Sequence, residues 1–155
     1  MAAETCSLIT TNCLPAGKSR KEGRMADIQI KELGQPEWYY LRLGPGSDLF
    51  QGVREFFTEK ELKRAFVLST IGSLEKAIFN YPVTGTRMPP PVKNMVVEKF
   101  LEINGISGEV WPDESGIRVH LHGSCTHEGG TVYGGGLADG AKVLVHAEMV
   151  IIGYR

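Results

Sequence analysis

His120 and His122 are the residues whose type and spacing come nearest to chemistry in this sequence. On an extended strand, residues two apart project from one face with their Cα atoms about 7 Å apart. Two imidazoles so placed can supply two ligands of a divalent metal such as zinc. The competing reading is a polar, half-exposed strand face that happens to carry two histidines. A zinc site takes at least three protein ligands, so a third group has to be found. His127 follows in a turn, and His146 and Glu148 share one face of the last apolar stretch. A carboxylate on a largely apolar strand needs a cation or hydrogen-bond donors beside it, which singles out Glu148. Arg42 and Glu102 can contribute to a polar site or simply face water from their strands.

The remaining candidates are weaker. Gly134-Gly135-Gly136 offers backbone N–H groups to an anion, but it lacks the strand–glycine–helix context and the Lys-Ser/Thr of a phosphate loop. A close approach of two backbones accounts for three glycines as well. Cys125 could act as a thiol activated by a nearby histidine. Ser107 and Ser124 stand in no nucleophile-elbow pattern. The residues themselves therefore leave metal binding and plain strand surface both open, with no catalytic set.

The elements that must position these residues lie after residue 33. Residues 1–33 lack sustained periodicity and read as a mobile arm, and 34–155 as one domain. Lys18, Arg20, Lys21 and Arg24 are the arm's one basic cluster, and Met25 offers an alternative start. Trp38–Leu43 reads as a strand, broken at Gly44-Pro45-Gly46. Ser47 or Asp48 can cap a helix opening at Leu49, whose apolar face is Leu49, Phe50, Val53, Phe56 and Phe57. Ala65–Ile71 suits a buried strand ended by Gly72, and Lys76–Tyr81 a second strand pairing with it across a turn. Thr84–Pro91 is a loop. Phe100–Val110 is strand-like, its two glycines marking a bulge or a close backbone contact. After a turn at 112–116, Ile117, Val119 and Leu121 face one way and Arg118, His120 and His122 the other. The last strand, Lys142–Ile152, places Val143, Val145, Ala147, Met149 and Ile151 on one face and Leu144, His146, Glu148, Val150 and Ile152 on the other. One clear helix among short-turned strands predicts an antiparallel α+β domain. Because the last strand is apolar on both faces, a neighbouring subunit is expected to cover part of it.

The totals set outer bounds. The 155 residues are 42% hydrophobic and 23% charged, an ordinary globular composition. The three cysteines are odd in number and show no metal spacing, which suits reduced thiols in a cytoplasmic or nuclear compartment. No apolar stretch approaches the ~20 residues that cross a bilayer, and no charged leader with an apolar core opens the chain, so a soluble intracellular protein is expected. A net charge of −1 gives no global electrostatic argument for nucleic acid.

Several motifs, taken in order, resemble the plants-and-prokaryotes-conserved (PPC) domain. Arg42-Leu43-Gly44-Pro45-Gly46-Ser47-Asp48-Leu49 is similar to its Arg-x-x-x-Gly-acidic-acidic-Leu opening, with Ser47 departing at the first acidic place. Phe66 to Ser73 resembles its strand ending in Ile-Gly-Ser, and Phe100 to Gly108 its Phe-Glu-Ile…Ser-Gly-Thr strand. His120-Leu121-His122, Gly134-Gly135-Gly136-Leu137 and Ala147-Glu148 resemble its His-Leu-His, Gly-Gly-His-Leu and Ala-Glu signatures. The resemblance spans about residues 38–155. It implies a curved antiparallel sheet with a packed helix, assembled as a homotrimer, in a binding or scaffold module of DNA-associated regulatory proteins and their transcription-related partners. The Arg-Gly-Arg-Pro core of an AT-hook is lacking here. The resemblance extends in fold to acetolactate decarboxylase, a zinc enzyme, which implies the alternative of a metal-dependent lyase or hydrolase. Some members are similar in holding a metal through His-x-His and the later Gly-Gly-His. Gly136 stands here where that third histidine would be.

Overall fold

The computed structural model describes residues 29–85 and 88–155. Most of the expected arm, with its basic cluster, Met25, Cys6 and Cys13, lies outside the described residues. In chain order the elements are β1 (Glu37–Leu43), α1 (Leu49–Glu59), β2 (Arg64–Pro82), β3 (Val92–Val97), β4 (Leu101–Asp113), β5 (Gly116–His127), β6 (Thr131–Leu137) and β7 (Lys142–Tyr154). All strand pairs are antiparallel, in the order β1-β7-β2-β4-β5-β6, with β3 beside β2. β6 also returns to β2, pairing Phe79 with Leu137 and Asn80 with Gly136, so the sheet curls until it meets itself. The α+β class and the curved antiparallel sheet are as the sequence predicts.

Helix α1 starts where its chemistry says it should. Gly46 takes φ +74°, a conformation that costs glycine little, and turns the chain out of β1. Of the two possible caps it is Asp48 that serves, its carboxylate accepting the Gln51 N–H at 3.0 Å. Leu49, Phe50, Val53, Phe56 and Phe57 are all buried, the predicted face without exception. Each such side chain contributes roughly 1.5–3 kcal/mol by leaving water. Phe56 meets Tyr39 of β1 edge-on at 5.1 Å. From the helix's outer side Arg54 reaches Asp139 with both terminal nitrogens and the Ile117 carbonyl with Nε, tying α1 to β5 and to the β6–β7 turn.

Two expectations are corrected. Ala65–Ile71 and Lys76–Tyr81 are not two strands across a turn but halves of the single 19-residue strand β2. Gly72 does not end it. A Cβ there would overlap the His146 carbonyl oxygen, so the glycine marks where β7 passes close against β2. The strand bends instead at three register shifts, between Val67 and Ser69, Gly72 and Leu74, and Leu74 and Lys76. Val145, expected to share the buried face of β7, is 55% exposed. The register steps from Leu74↔Val143 to Gly72↔Ala147, leaving extra residues on β7 that bulge outward, and the Val145 N–H donates to Ser73 Oγ at 3.3 Å. Val143, Ala147, Met149 and Ile151 are buried as predicted.

Strand β3 was not foreseen. Its six residues follow three prolines and are mostly exposed, so no core-facing period marks them.

The two glycines of β4 divide the two roles expected of them. Gly105 sits at the register shift against Ser124, with open space where a Cβ would go. Gly108 lies against β5, and a Cβ there would overlap the His120 carbonyl oxygen. Gly108→Ala should therefore lower the unfolding free energy by roughly 2–4 kcal/mol, while Gly105→Ala stays within about 0.5 kcal/mol. Urea titration followed by tryptophan fluorescence compares the two, and equal midpoints would contradict the close-approach assignment.

Candidate functional site

On β5 the alternation is as read from the sequence: Val119 and Leu121 are buried, and Arg118, His120 and His122 are exposed. The two imidazoles lean toward each other. Their Nε2 atoms are 3.0 Å apart, with ring centroids at 4.9 Å and planes at 80°. At that separation one neutral ring can donate its N–H to the other. Two imidazole nitrogens on one zinc, at about 2.0–2.1 Å from the metal, would also lie roughly 3 Å apart.

The surroundings of the pair come from β2, β4 and β6. Glu109 is directly opposite His120 and Ser107 opposite His122. Trp111 stands edge-on to His120 at 6.3 Å. The Arg64 guanidinium pairs with Glu109 and lies over two rings, 5.0 Å from Trp111 and 5.7 Å from Phe66. On the other side His122 is opposite Gly136, and Gly136 is opposite Asn80. Asn80, Gly136 and His122 thus form one lateral row on the outer face.

The other predicted positions lie elsewhere. Glu148 is on β7, three strands from β5 by way of β2 and β4, or roughly 14 Å along the sheet. It meets Arg42, directly opposite on β1, at 3.7 Å. It also pushes the Tyr40 hydroxyl above its ordinary pKa, chiefly by hydrogen bonding, with burial and its negative charge adding to this. The cation that a carboxylate on this strand requires is therefore Arg42. Glu102 stands exposed at the start of β4, opposite Ser73 and Thr126. His127 packs its Nδ1 against the Phe100 carbonyl at 3.1 Å. His146 is half-buried on β7. Among the described residues no three His, Cys, Asp or Glu side chains gather closely enough to hold a metal.

Arg64, Trp111, Glu109 and Asn80 escaped the sequence reading. Each is an ordinary strand residue whose neighbours are fixed only by register, and that register depends on β2 being one strand.

The family model for the Plants and Prokaryotes Conserved (PCC) domain matches residues 31–154. The chain belongs to the PCC domain family. Among solved PCC-like structures, a metal-containing protein of Archaeoglobus fulgidus is 28% identical, with a TM-score of 0.69 over 82% of this chain and 85% of that one. A plant- and prokaryote-conserved protein of Pyrococcus horikoshii has 22% identity and a TM-score of 0.68 over 84% and 85%. A Bacteroides thetaiotaomicron protein, named conjecturally as DNA-binding, has 14% identity and a TM-score of 0.65 over 80% and 81%. Among curated proteins, the Bifunctional protein GlmU of Synechococcus sp. (strain JA-3-3Ab) is 34% identical over 113 residues, 73% of this chain. That match takes in 16% of the GlmU protein, so the chain spans a small fraction of the length of the curated relatives it matches.

The donor set can be tested against the zinc that the PCC resemblance implies. His120 and His122 fit two coordination places. Gly136, at the third, has no side chain, and the group beside it is a carboxamide. The set present does not fit a resident zinc ion.

Cys125 is fully buried, and burial, followed by the negative Glu102, pushes its pKa up to about 11. Its thiol stays protonated at neutral pH, which removes the activated-thiol reading. Iodoacetamide at pH 7.5 should leave Cys125 unlabelled in the folded chain and label it in guanidinium. Peptide mass spectrometry resolves this position from Cys6 and Cys13, and rapid native labelling would contradict the burial argument.

Proposed function

We propose that this PCC-domain chain is a self-associating binding module, a homotrimeric scaffold within a DNA-associated regulatory assembly. One observation carries the self-association. The outer face of β1, β7 and β2 is apolar and open. Trp38 (68% exposed), Tyr40 (64%), Ile71 (55%), Leu68 (45%) and Val150 (41%) lie in adjoining rows of one sheet face, with half-buried Phe66 and Ile152 between them. Arg42 and Glu148 close the row beside Ile71. A contiguous apolar stripe with a polar edge is the signature of a protein–protein surface. Three copies is the number that the PPC resemblance implies, and a three-fold ring lets each stripe meet a neighbour while the assembly closes.

The DNA association is supported by the resemblance and by how fold relatives are named. The net charge of −1 contributes no general attraction to phosphate. This reading therefore places DNA contact with protein partners of the trimer.

Light scattering on the purified chain should give a particle of three 17.0 kDa chains. Ile71→Glu, which puts a charge in the middle of the stripe, should yield folded monomers. Val132→Glu, on β6 and 59% exposed, should leave the trimer intact. A native chain that runs as a 17.0 kDa monomer at micromolar concentration would end the scaffold reading.

Duplex DNA provides the second measurement. Retention by the unmodified chain at about 150 mM salt would show that it contacts DNA itself, since weak binding seen only at low salt is nonspecific. The reading predicts that the isolated module loses DNA at that salt.

A further inference from the structure

The row Asn80–Gly136–His122 carries a consequence for the imidazole site that is independent of self-association. Gly136 is buried, and its backbone needs no glycine, since its φ is not among the positive ones. Space explains the residue type. A Cβ built at Gly136 would lie 3.5 Å from His122 Cε1 and would overlap Asn80 Oδ1, with Asn80 Cγ only 3.2 Å away. The Asn80 carboxamide therefore fills the volume that a side chain at 136 would take as it left β6 beside the imidazoles.

We infer that Asn80 is the occupant of the third place at the His120–His122 site, and that residues 80 and 136 are mutually exclusive contributors to it. With Asn80 present the site is two imidazoles walled by an amide. With the amide removed, a histidine at 136 would leave β6 next to His122 and complete a three-nitrogen face. A carboxamide oxygen is a hard, neutral donor that suits zinc poorly beside two imidazoles. The native site is thus closed to a stable zinc ion by what fills it, and not only by a ligand it lacks. The amide can still offer its N–H or its oxygen to a polar guest that bridges to the imidazoles.

The test uses the full chain without a histidine tag in four forms: native, Asn80→Ala, Gly136→His, and the double variant. Zinc chloride is titrated against a chromogenic chelator. The double variant should bind one zinc per chain at least ~100-fold more tightly than the native chain, as a third imidazole completes the face. Gly136→His alone should gain less than about a tenth of that, because the amide must first vacate. The inference is overturned if the native chain binds zinc as tightly as the double variant. It is equally overturned if Gly136→His alone matches the double variant, or if a double variant with native circular dichroism gains less than about tenfold.

Gly136→Ala gives a metal-free readout that does not depend on a histidine at 136 being accommodated. Its loss in Tm should fall by more than half in the Asn80→Ala background, the mark of two residues sharing one space. Equal losses in both backgrounds would show that Asn80 does not hold that place.

Discussion

The long strand β2 is the constraint from which the rest of this structure follows. It has to pair along both edges for most of its 19 residues: with β7 and then β6 on one side, and with β4 and then β3 on the other. A straight strand could not do this and also bring β6 round to it. The three register shifts supply the bend, since an unpaired extra residue increases local twist. Leu74, Ala77 and Phe79, all fully buried, keep the bent half anchored to the core while the edges exchange partners. The lateral row Asn80–Gly136–His122 exists only because this strand reaches β6.

How much of this was legible follows from where the determining forces are local. The start and the buried face of the helix were readable because their signals are local: a serine or aspartate to cap it and five apolar side chains at steps of three and four. The histidine face of β5 was readable because β5 keeps an uninterrupted two-residue period there. β2 was misread because Gly72, locally a breaker, is demanded by the distant His146 carbonyl. Val145 was misplaced for the same kind of reason. A bulge shifts the facing of a strand, and it is set by the partner's register, not by the strand's own pattern.

The site repeats this division. That His120 and His122 would point together followed from spacing, whereas the identity of their neighbours did not. Trp111, Glu109 and Arg64 come from strands paired across long sequence gaps, and Asn80 from a half-strand whose edge partner changes from β7 to β6. Glu148 stands out in the sequence as a carboxylate on an apolar strand that needs a partner. Arg42 meets it, because β1 adds to the sheet beyond β7 and delivers Arg42, with Tyr40, onto the same face.

The outer face of the sheet is thereby divided into two zones with different physics. Around β1, β7 and β2 it is apolar, edged by the Arg42–Glu148 pair, and it gains by meeting another surface. Around β4, β5 and β6 it is polar, with imidazoles, an indole edge and a guanidinium–carboxylate pair that have already found one another. Polar groups of this kind lose little by staying hydrated and would cost more to bury unpaired. Under the scaffold proposal, association is directed to the first zone by the quality of the second. The strand shared by the two zones is β2, which carries Leu68 and Ile71 on the apolar side and Arg64 and Asn80 beside the imidazoles, so the bend that closes the sheet also sets the boundary between them.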